Sequence, residues 1–470
     1  MNNRPVIAII GGGFCGFSVF MQLSLITESE VDIVLIDGGN NFPKGIAYSS
    51  YNKKHVLNVP ASKMSLFPDD PDNFVNWVKS KPEYSDFVDD ELPDLFLPRV
   101  IYGHYLEEKF NETLKNLPEN IKFDIIKSEA TDIIPLGNRA EIVFNDGKKI
   151  KADKIVLALG NFIPDNPNIK DNTFFNSNKY FQNPWAKEST AGLKENDSVL
   201  IIGTGLTMVD KVISLRDVGF GGKIYAVSTH GYFPLSHKKR KPYNDILNEI
   251  HPPYNLLNIY SIFRKHIRYV LSNGITGEAV VDAIRPKTQE IWMSLSLDDK
   301  IKFMSHVRHL WGVARHRLPK GIFLEMKNLM NNGLLEIIGG RLTEVREING
   351  GIYVLLNERK TQKSRELLVS RVINCTGPVT DLNKIKSELI INLLAKGIIT
   401  PDEMKLGINA LPDGTIIHKD NSVSDYLFAT GSLLKGILWE STAVPELRTQ
   451  AKMLAGMLSN NKNVKNTSKV

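Results

Sequence analysis

Cysteine is scarce: Cys15 and Cys375 are the only two among 470 residues. Two thiols so far apart in sequence cannot build a disulfide framework or a four-cysteine zinc site. There is no C-x-x-C, which excludes a redox-dithiol reading. Such usage suits a reducing compartment, and the cytoplasm is the expected location. An excess of one charge is also lacking, since 58 Lys+Arg against 52 Asp+Glu leave +6 over the whole chain. No nucleic-acid partner is expected from so diluted a charge, whereas an anionic small molecule needs only a few well-placed cations. Long unbroken apolar runs are missing too. The stretch Val6 to Leu25 is interrupted by Gly11, Gly12, Gly13 and Gly16, then by Ser18, Gln22 and Ser24. Neither a secretory leader nor an integral membrane segment is expected there. The remainder, 42% hydrophobic and 23% charged, is an ordinary globular mixture. It excludes a disordered chain, a collagen and a coiled coil, and the length suggests two to four domains.

Within that mixture the glycines of the first segment carry a pattern. VIAII (Val6 to Ile10) is a short apolar run suited to a strand buried on both faces. Gly11, Gly13 and Gly16 then form G-x-G-x-x-G, with Phe14 and Cys15 between the last two, and FSVFMQLSL continues as a helix. VDIVLID follows as a second strand ending in Asp37, 21 residues after Gly16, where a ribose-binding carboxylate belongs. Gly11 suits a tight turn, Gly13 a close approach to a pyrophosphate, and Gly16 close packing of helix on strand. The helix amino end would face the phosphate charge.

The pattern recurs in DSVLIIGTGLTMVDKVISL, with Gly203 and Gly205 and with Met208 in place of the third glycine. Looser helix–strand packing is expected from that replacement. The next strand, GKIYAVS, ends in Ser228-Thr229-His230 with no acid. A carboxylate there would repel a 2′-phosphate, so its absence favours NADPH over NADH. His237, Lys238, Lys239 and Arg240 supply positive charge nearby, either for that phosphate or as a solvated loop.

Three further strands end in small-residue turns: KIVLALG to Gly160, VINCTG, and SDYLFATGS with Gly431 and Ser432. Backbone at such turns can pass a cofactor closely. The expected architecture is α/β, with two dinucleotide-binding Rossmann-like domains. A discontinuous FAD domain comprises residues 1–182 and 377–458, and an NAD(P) domain, 183–376, is inserted within it. Residues 245–332 read as a helical insertion, in which Ile301, Met304, Leu310 and Val313 recur at helical spacing. Residues 459–470 read as a disordered tail.

Longer blocks carry a family resemblance. PKGIAYSSYNKKHVLNVPASKMSLFPDDPDNFVNWV, FLPRVIYGHYLEEKF, VVDAIRPKTQEIW, WGVARHRLP and GILWESTAVPELRTQA resemble the bacterial FAD/NAD(P)-binding flavoproteins. Relatives include FAD-dependent urate hydroxylases and aspartate N-monooxygenases, and more distantly ornithine N-hydroxylases and flavin-containing monooxygenases. The resemblance implies a monooxygenase using FAD, NADPH and molecular oxygen. Through a flavin hydroperoxide, it would hydroxylate a small polar substrate, an amine or a purine-like compound. An NADPH-linked dehydrogenase or oxidase, and a non-catalytic dinucleotide-binding protein, remain alternatives. One departure stands out: wider relatives often follow the last strand with Gly-Asp, and here the pair is Gly431-Ser432.

Within these blocks Arg99 is a candidate for the FAD phosphates, or else a surface ion pair. Asn58 and Ser62 are candidate polar contacts near the flavin, or turn and cap residues. Ser441 and Thr442 precede the apparent helix AVPELRTQAKMLAGML, as flavin contacts, N-caps or both. Arg315, His316, Arg317 and Trp439 are the substrate candidates, with salt bridges or core packing as the plainer roles. His306 and His309 lie three apart among Arg308, Arg315 and Arg317. The arginines would repel a cation, so no metal is expected. No catalytic protein nucleophile is expected either, because the cofactor carries the bond-making.

Overall fold

The computed structural model describes residues 4–50, 52–238 and 243–459. Lys239 and Arg240 of the basic run, and the tail from residue 460, lie outside the described residues. The chain divides into two compact units. One comprises Met1–Asn161, Thr288–Met293 and Thr380–Val470, and the other Phe162–Lys287 and Ser294–Val379.

The first unit is built on a six-stranded sheet, and its order explains the apolar runs. Val6–Ile10 lies between Val31–Ile36 and Lys154–Leu157, parallel to both, with Ile9 opposite Leu35 and Val156. Val423–Ala429 extends the sheet beyond Lys154–Leu157, and Ile121–Ile126 extends it beyond Val31–Ile36. Only Thr415–Ile417, on one edge, runs antiparallel. Ile7, Ile9, Ile33 and Leu35 are buried, as expected of central parallel strands covered on both faces. The helices Phe14–Ile26 and Val444–Ser459 pack together on this sheet through Phe17, Phe20, Ala451 and Leu454. The three-stranded sheet of Ala130–Pro135, Ala140–Phe144 and Lys149–Ala152 completes the unit's strands.

In the second unit, Ser198–Ile202 lies between Lys223–Ser228 and Arg371–Asn374, again parallel to both. Leu335–Ile348 continues the parallel sheet beside Lys223–Ser228, then bends into an antiparallel ladder with Gly351–Glu358 and Ser364–Val369. Tyr180–Phe181 adds the seventh strand, at the other edge. The sequence-based expectation of two Rossmann-like α/β folds is borne out.

Between residues 245 and 332 the described elements are helical: Leu256–Ser272, Glu278–Ile284, Thr288–Ser294, Leu297–Lys302, Arg308–Arg315 and Lys320–Asn331. The run holding Ile301 and Leu310 is not the single regular helix its spacing suggests. A π-helical turn at Phe303–Val307 shifts the register, and Ile301 and Leu310 are 49% and 53% exposed.

Candidate dinucleotide-binding sites

The first glycine turn is closed by backbone contacts that only glycine allows. Gly11 has φ +108°, and its N–H donates to the Ile36 carbonyl at 2.8 Å. A Cβ on Gly11 would lie 2.3 Å from the Ala158 oxygen, and one on Gly16 would lie 1.9 Å from the Gly11 oxygen. The third glycine therefore serves the turn itself as much as helix–strand packing. Gly13 is the N-cap residue of Phe14–Ile26 and has a negative φ; its nearest neighbour is the Gly45 backbone, 3.4 Å from an added Cβ. Unpaired N–H groups at this helix end suit an anion.

Asp37 anchors the turn. Its Oδ2 accepts from the Gly12 N–H at 2.7 Å and its Oδ1 from Gly39 at 2.6 Å. A carboxylate has about four acceptor positions, so capacity for hydroxyl groups remains. Phe14 contributes only backbone here, since its ring is buried against Tyr48 and Tyr102. The Cys15 thiol lies 2.8 Å from where a Cβ of Gly431 would sit, and burial pushes its pKa up to about 12. It is an inert wall of the turn rather than a nucleophile.

At the other strand ends, Gly160 and Gly431 both have positive φ, +67° and +76°. The Ser432 hydroxyl donates to the Gly160 carbonyl at 2.5 Å and ties the two turns together. Where wider relatives place an acid, this chain thus has a neutral crosslink. Arg99 begins the helix Arg99–Lys115; its Nε donates to the Val56 carbonyl at 3.0 Å and its N–H to that of His55 at 2.8 Å. Asn58 and Ser62 are half-buried, Asn58 in the irregular segment that follows His55 and Ser62 within the 3-10 turn Ala61–Lys63.

Ser441 and Thr442 are not N-caps. The helix begins at Val444 with Pro445 in its first turn, a position that suits proline, so the cap falls at Ala443. Ser441 is fully buried, with its hydroxyl 3.4 Å from the Gly431 carbonyl, and Thr442 is exposed. Trp439 is 6% exposed and stacks on Trp292 at 4.8 Å, while the Trp292 Nε1–H donates to the Gly436 carbonyl at 2.8 Å. Core packing accounts for that indole pair.

The second turn repeats the first and then diverges. Gly203 has φ +109°, its N–H donates to Val227 at 2.7 Å, and an added Cβ would lie 2.3 Å from the Cys375 oxygen. Cys375 stands where Ala158 stands in the first unit; it is buried, and its thiol too is pushed up to about 12 by desolvation. Met208 is fully buried against Val209, Ile224 and Met326, so packing here is filled rather than loose. Gly205 caps Leu206–Asp217, and a Cβ placed on it would have nothing within 4 Å. That free space above a helix amino terminus fits a phosphate.

The acid position is filled by hydroxyls. Ser228 Oγ lies 2.8 Å from Thr204 Oγ1, which donates to the Tyr232 carbonyl at 2.5 Å, and the Gly231 N–H donates to Ser228 Oγ at 3.1 Å. Beyond them the imidazole of His230 stacks on Tyr232 at 5.1 Å and meets the ring of His309 at 4.4 Å. Desolvation lowers the pKa of His230, and Arg359, Arg341 and Arg308 lower it further. His309 is lowered by desolvation, then by Arg308 and His230. Arg308, Arg341 and Arg359 are exposed and make no salt bridge among the described residues. Thr204, Tyr232, Arg341 and Arg359 escaped the sequence reading. The signal was Gly339-Gly340 immediately before Arg341: the Gly339 carbonyl accepts from the Arg359 N–H at 2.7 Å, and the Gly339 N lies 2.7 Å from where a Gly231 Cβ would sit.

The substrate candidates Arg315, His316 and Arg317 separate. Arg317 is 4% exposed and ion-paired with Asp282, whereas His316 is exposed and Arg315 half-buried. His306 is exposed, and no three potential metal ligands cluster among the described residues. Nor is any described helix long and apolar enough to cross a membrane.

Two such sheets, each with its glycine turn, define the fold of a two-dinucleotide flavoprotein. The family resemblance read from the sequence is borne out: residues 8–162 match the family model described as FAD-NAD(P)-binding. A curated relative, nitrosuccinic acid synthase from Aspergillus oryzae, is 22% identical over 239 residues, 46% of this chain and 36% of that protein. The match thus spans little more than a third of that relative. Among solved structures, the Kutzneria ornithine N-hydroxylase is similar over 98% of this chain and 100% of its own, with TM-score 0.66 and 12% identity. The ornithine hydroxylase of Pseudomonas aeruginosa covers 97% and 99%, with TM-score 0.65 and 12% identity. The cadaverine monooxygenase of Erwinia amylovora covers 96% and 94%, with TM-score 0.64 and 13% identity. At these identities the likeness is one of fold.

Proposed function

We propose that the protein is a cytoplasmic FAD-dependent oxidoreductase that uses NADPH and molecular oxygen to N-hydroxylate a small, polar, amine-bearing substrate. The observation that carries this reading is the pair of glycine turns with unlike surroundings, one anchored by Asp37 and one fringed by uncompensated cations. The first suits FAD: the Phe14–Ile26 amino end would receive the pyrophosphate, Asp37 a ribose, and the Gly160 and Gly431 turns would border the ring. The second suits NADPH, with the pyrophosphate over Gly205 and the 2′-phosphate among His230, Arg341 and Arg359. When bound, these groups supply a hydride and pass two electrons to oxygen, one atom going to the substrate nitrogen and the other leaving as water. The chain contributes binding, orientation and exclusion of water. Cys375 is buried and Cys15 half-buried, and desolvation raises the pKa of each, so neither thiol is poised as a nucleophile. The amine class rests on the ornithine, cadaverine and nitrosuccinate enzymes to which the chain is similar.

The test is stoichiometric. Purified FAD-loaded protein is given NADPH, oxygen and a panel of amino acids and diamines, and hydroxylamine is measured by mass spectrometry against NADPH consumed. One hydroxylamine per NADPH with one substrate class supports the proposal. Hydrogen peroxide as the sole product with every compound rejects oxygen transfer in favour of an oxidase.

A further inference from the structure

We infer that His230 and His309 form a proton-linked specificity pair, which takes up a proton when a 2′-phosphate binds and so makes the preference for NADPH over NADH depend on pH. This rests on the assignment of NADPH to the second glycine turn, and goes beyond it by naming the residues and the chemistry of discrimination.

The convergence of these groups is fixed by backbone. His230 lies two residues beyond the Lys223–Ser228 strand, and the following Gly231, at φ +64°, folds onto Gly339 so closely that a Cβ would lie 2.7 Å from the Gly339 N. The Gly339 carbonyl accepts the Arg359 N–H, which holds Arg359 just past Glu358, two residues beyond Asn357, the cross-strand partner of Arg341. His309 and Arg308 arrive from the helix after the π-helical turn, which brings the His309 ring to 4.4 Å from that of His230. The groups facing the pair are thus Tyr232 from its own loop, Arg308 from the helix, and Arg341 and Arg359 from the hairpin. All the ionisable groups that act on the two rings are basic.

Two imidazoles in contact among three cations cannot both be charged without a counterion. In the free protein the arginines and partial burial hold both rings towards the neutral form. A phosphate dianion among them reverses the sign of the local field and supports the protonated form, in which both ring nitrogens donate. The sign follows: binding raises the histidine pKa, protons are taken up, and affinity rises as pH falls towards the imidazole range. The dependence is bounded at about tenfold in affinity per pH unit for each proton taken up. It flattens near pH 6, where the phosphate itself protonates. A 2′-hydroxyl offers no such charge, so NADH affinity stays flat.

The experiment uses the FAD-loaded full chain and two probes, 2′,5′-ADP and 5′-AMP, titrated calorimetrically at pH 6.5, 7.5 and 8.5 in buffers of different ionisation enthalpy. The expected result is proton uptake with 2′,5′-ADP and a several-fold loss of affinity from pH 6.5 to 8.5, with neither for 5′-AMP. His230→Asn with His309→Asn should abolish the uptake and leave residual affinity supplied by the arginines. If Arg341→Ala and Arg359→Ala leave 2′,5′-ADP affinity unchanged, the phosphate does not bind here and the underlying assignment fails. Should those variants weaken binding while wild type shows no proton uptake, the assignment survives and the histidine pair is refuted. Unchanged uptake in the double histidine variant refutes it equally.

Discussion

The two glycine turns start from the same backbone geometry and end as different sites. In each, the first glycine sits near φ +108°, with its N–H on the neighbouring strand and no room for a Cβ against the residue just past a third strand. That shared part is dictated by the parallel sheet, since the chain must reverse between buried strands without a side chain in the way. The divergence begins at the third glycine position. Gly16 meets the Gly11 oxygen, whereas Met208 fills a hydrophobic pocket. It widens at the second strand's end, where Asp37 clamps Gly12 and Gly39 and a Ser228–Thr204 pair stands in its place. A closed, acid-anchored turn suits a permanently held dinucleotide, and an open, cation-fringed one suits a cofactor that exchanges.

The largest effects should come from exchanging the third positions. Gly16→Ala puts a Cβ on the Gly11 carbonyl, with backbone on both sides and no room to yield. A cost of about 3 kcal/mol is expected, at the upper end for overpacking, with loss of FAD on purification. Met208→Ala in the corresponding place should cost about 2–5 kcal/mol through a cavity, with FAD retained. Urea denaturation and the flavin absorbance of the purified variants check both.

Next come the second glycines. Gly13→Val should abolish flavin retention, and a yellow variant would refute the first assignment. A Cβ on Gly205 has no non-neighbouring atom within 4 Å, so in Gly205→Val stability and FAD content should hold while NADP+ binding weakens tenfold or more, measured by fluorescence quenching. A third, smaller effect concerns the acid position. Ser228→Asp gives the second turn the group that the first one has, and should lower the ratio of NADPH to NADH efficiency by about tenfold, roughly 1.4 kcal/mol. An unchanged ratio would move the 2′-phosphate elsewhere.

Away from the turns, Arg317→Ala removes the ion pair between Arg317 and Asp282. Since Asp282 is 41% exposed, a cost of about 1–2 kcal/mol is expected with KM for NADPH unaltered. A change in KM without loss of stability would return Arg317 to the site. The smallest effect is acid sensitivity of the second unit's hairpin. Arg365 pairs with Glu336 and Glu358 and holds both carboxyls below their usual 4.5. Folded-state pKa values that are depressed contribute stability above that value, lost as pH falls through it. Thermal unfolding should therefore soften below about pH 4.5, and less so in Arg365→Met.

Much of the fold was legible because parallel strands buried on both faces read as short apolar runs, and VIAII, VDIVLI and SVLII became the strands they suggested. The glycine turns were legible for the same local reason. The fringe of the second site was not, because Arg341 and Arg359 sit on a hairpin more than a hundred residues after Ser228 and converge only through the Gly231–Gly339 contact. The pairing of His309 with His230 was not legible either, because a π-helical turn precedes the helix that brings His309 to His230. Ser441 and Thr442 resembled caps until Pro445 fixed the helix start beyond them.

The central claim is that one chain holds two unlike dinucleotides in these two turns. Anaerobic titration of the purified protein with NADPH, followed at the flavin absorbance, tests it most directly. One flavin per chain, bleached by one equivalent of NADPH in wild type and far more slowly in Gly205→Val, is the predicted result. Protein that carries no flavin, or flavin that NADPH fails to reduce, would contradict it.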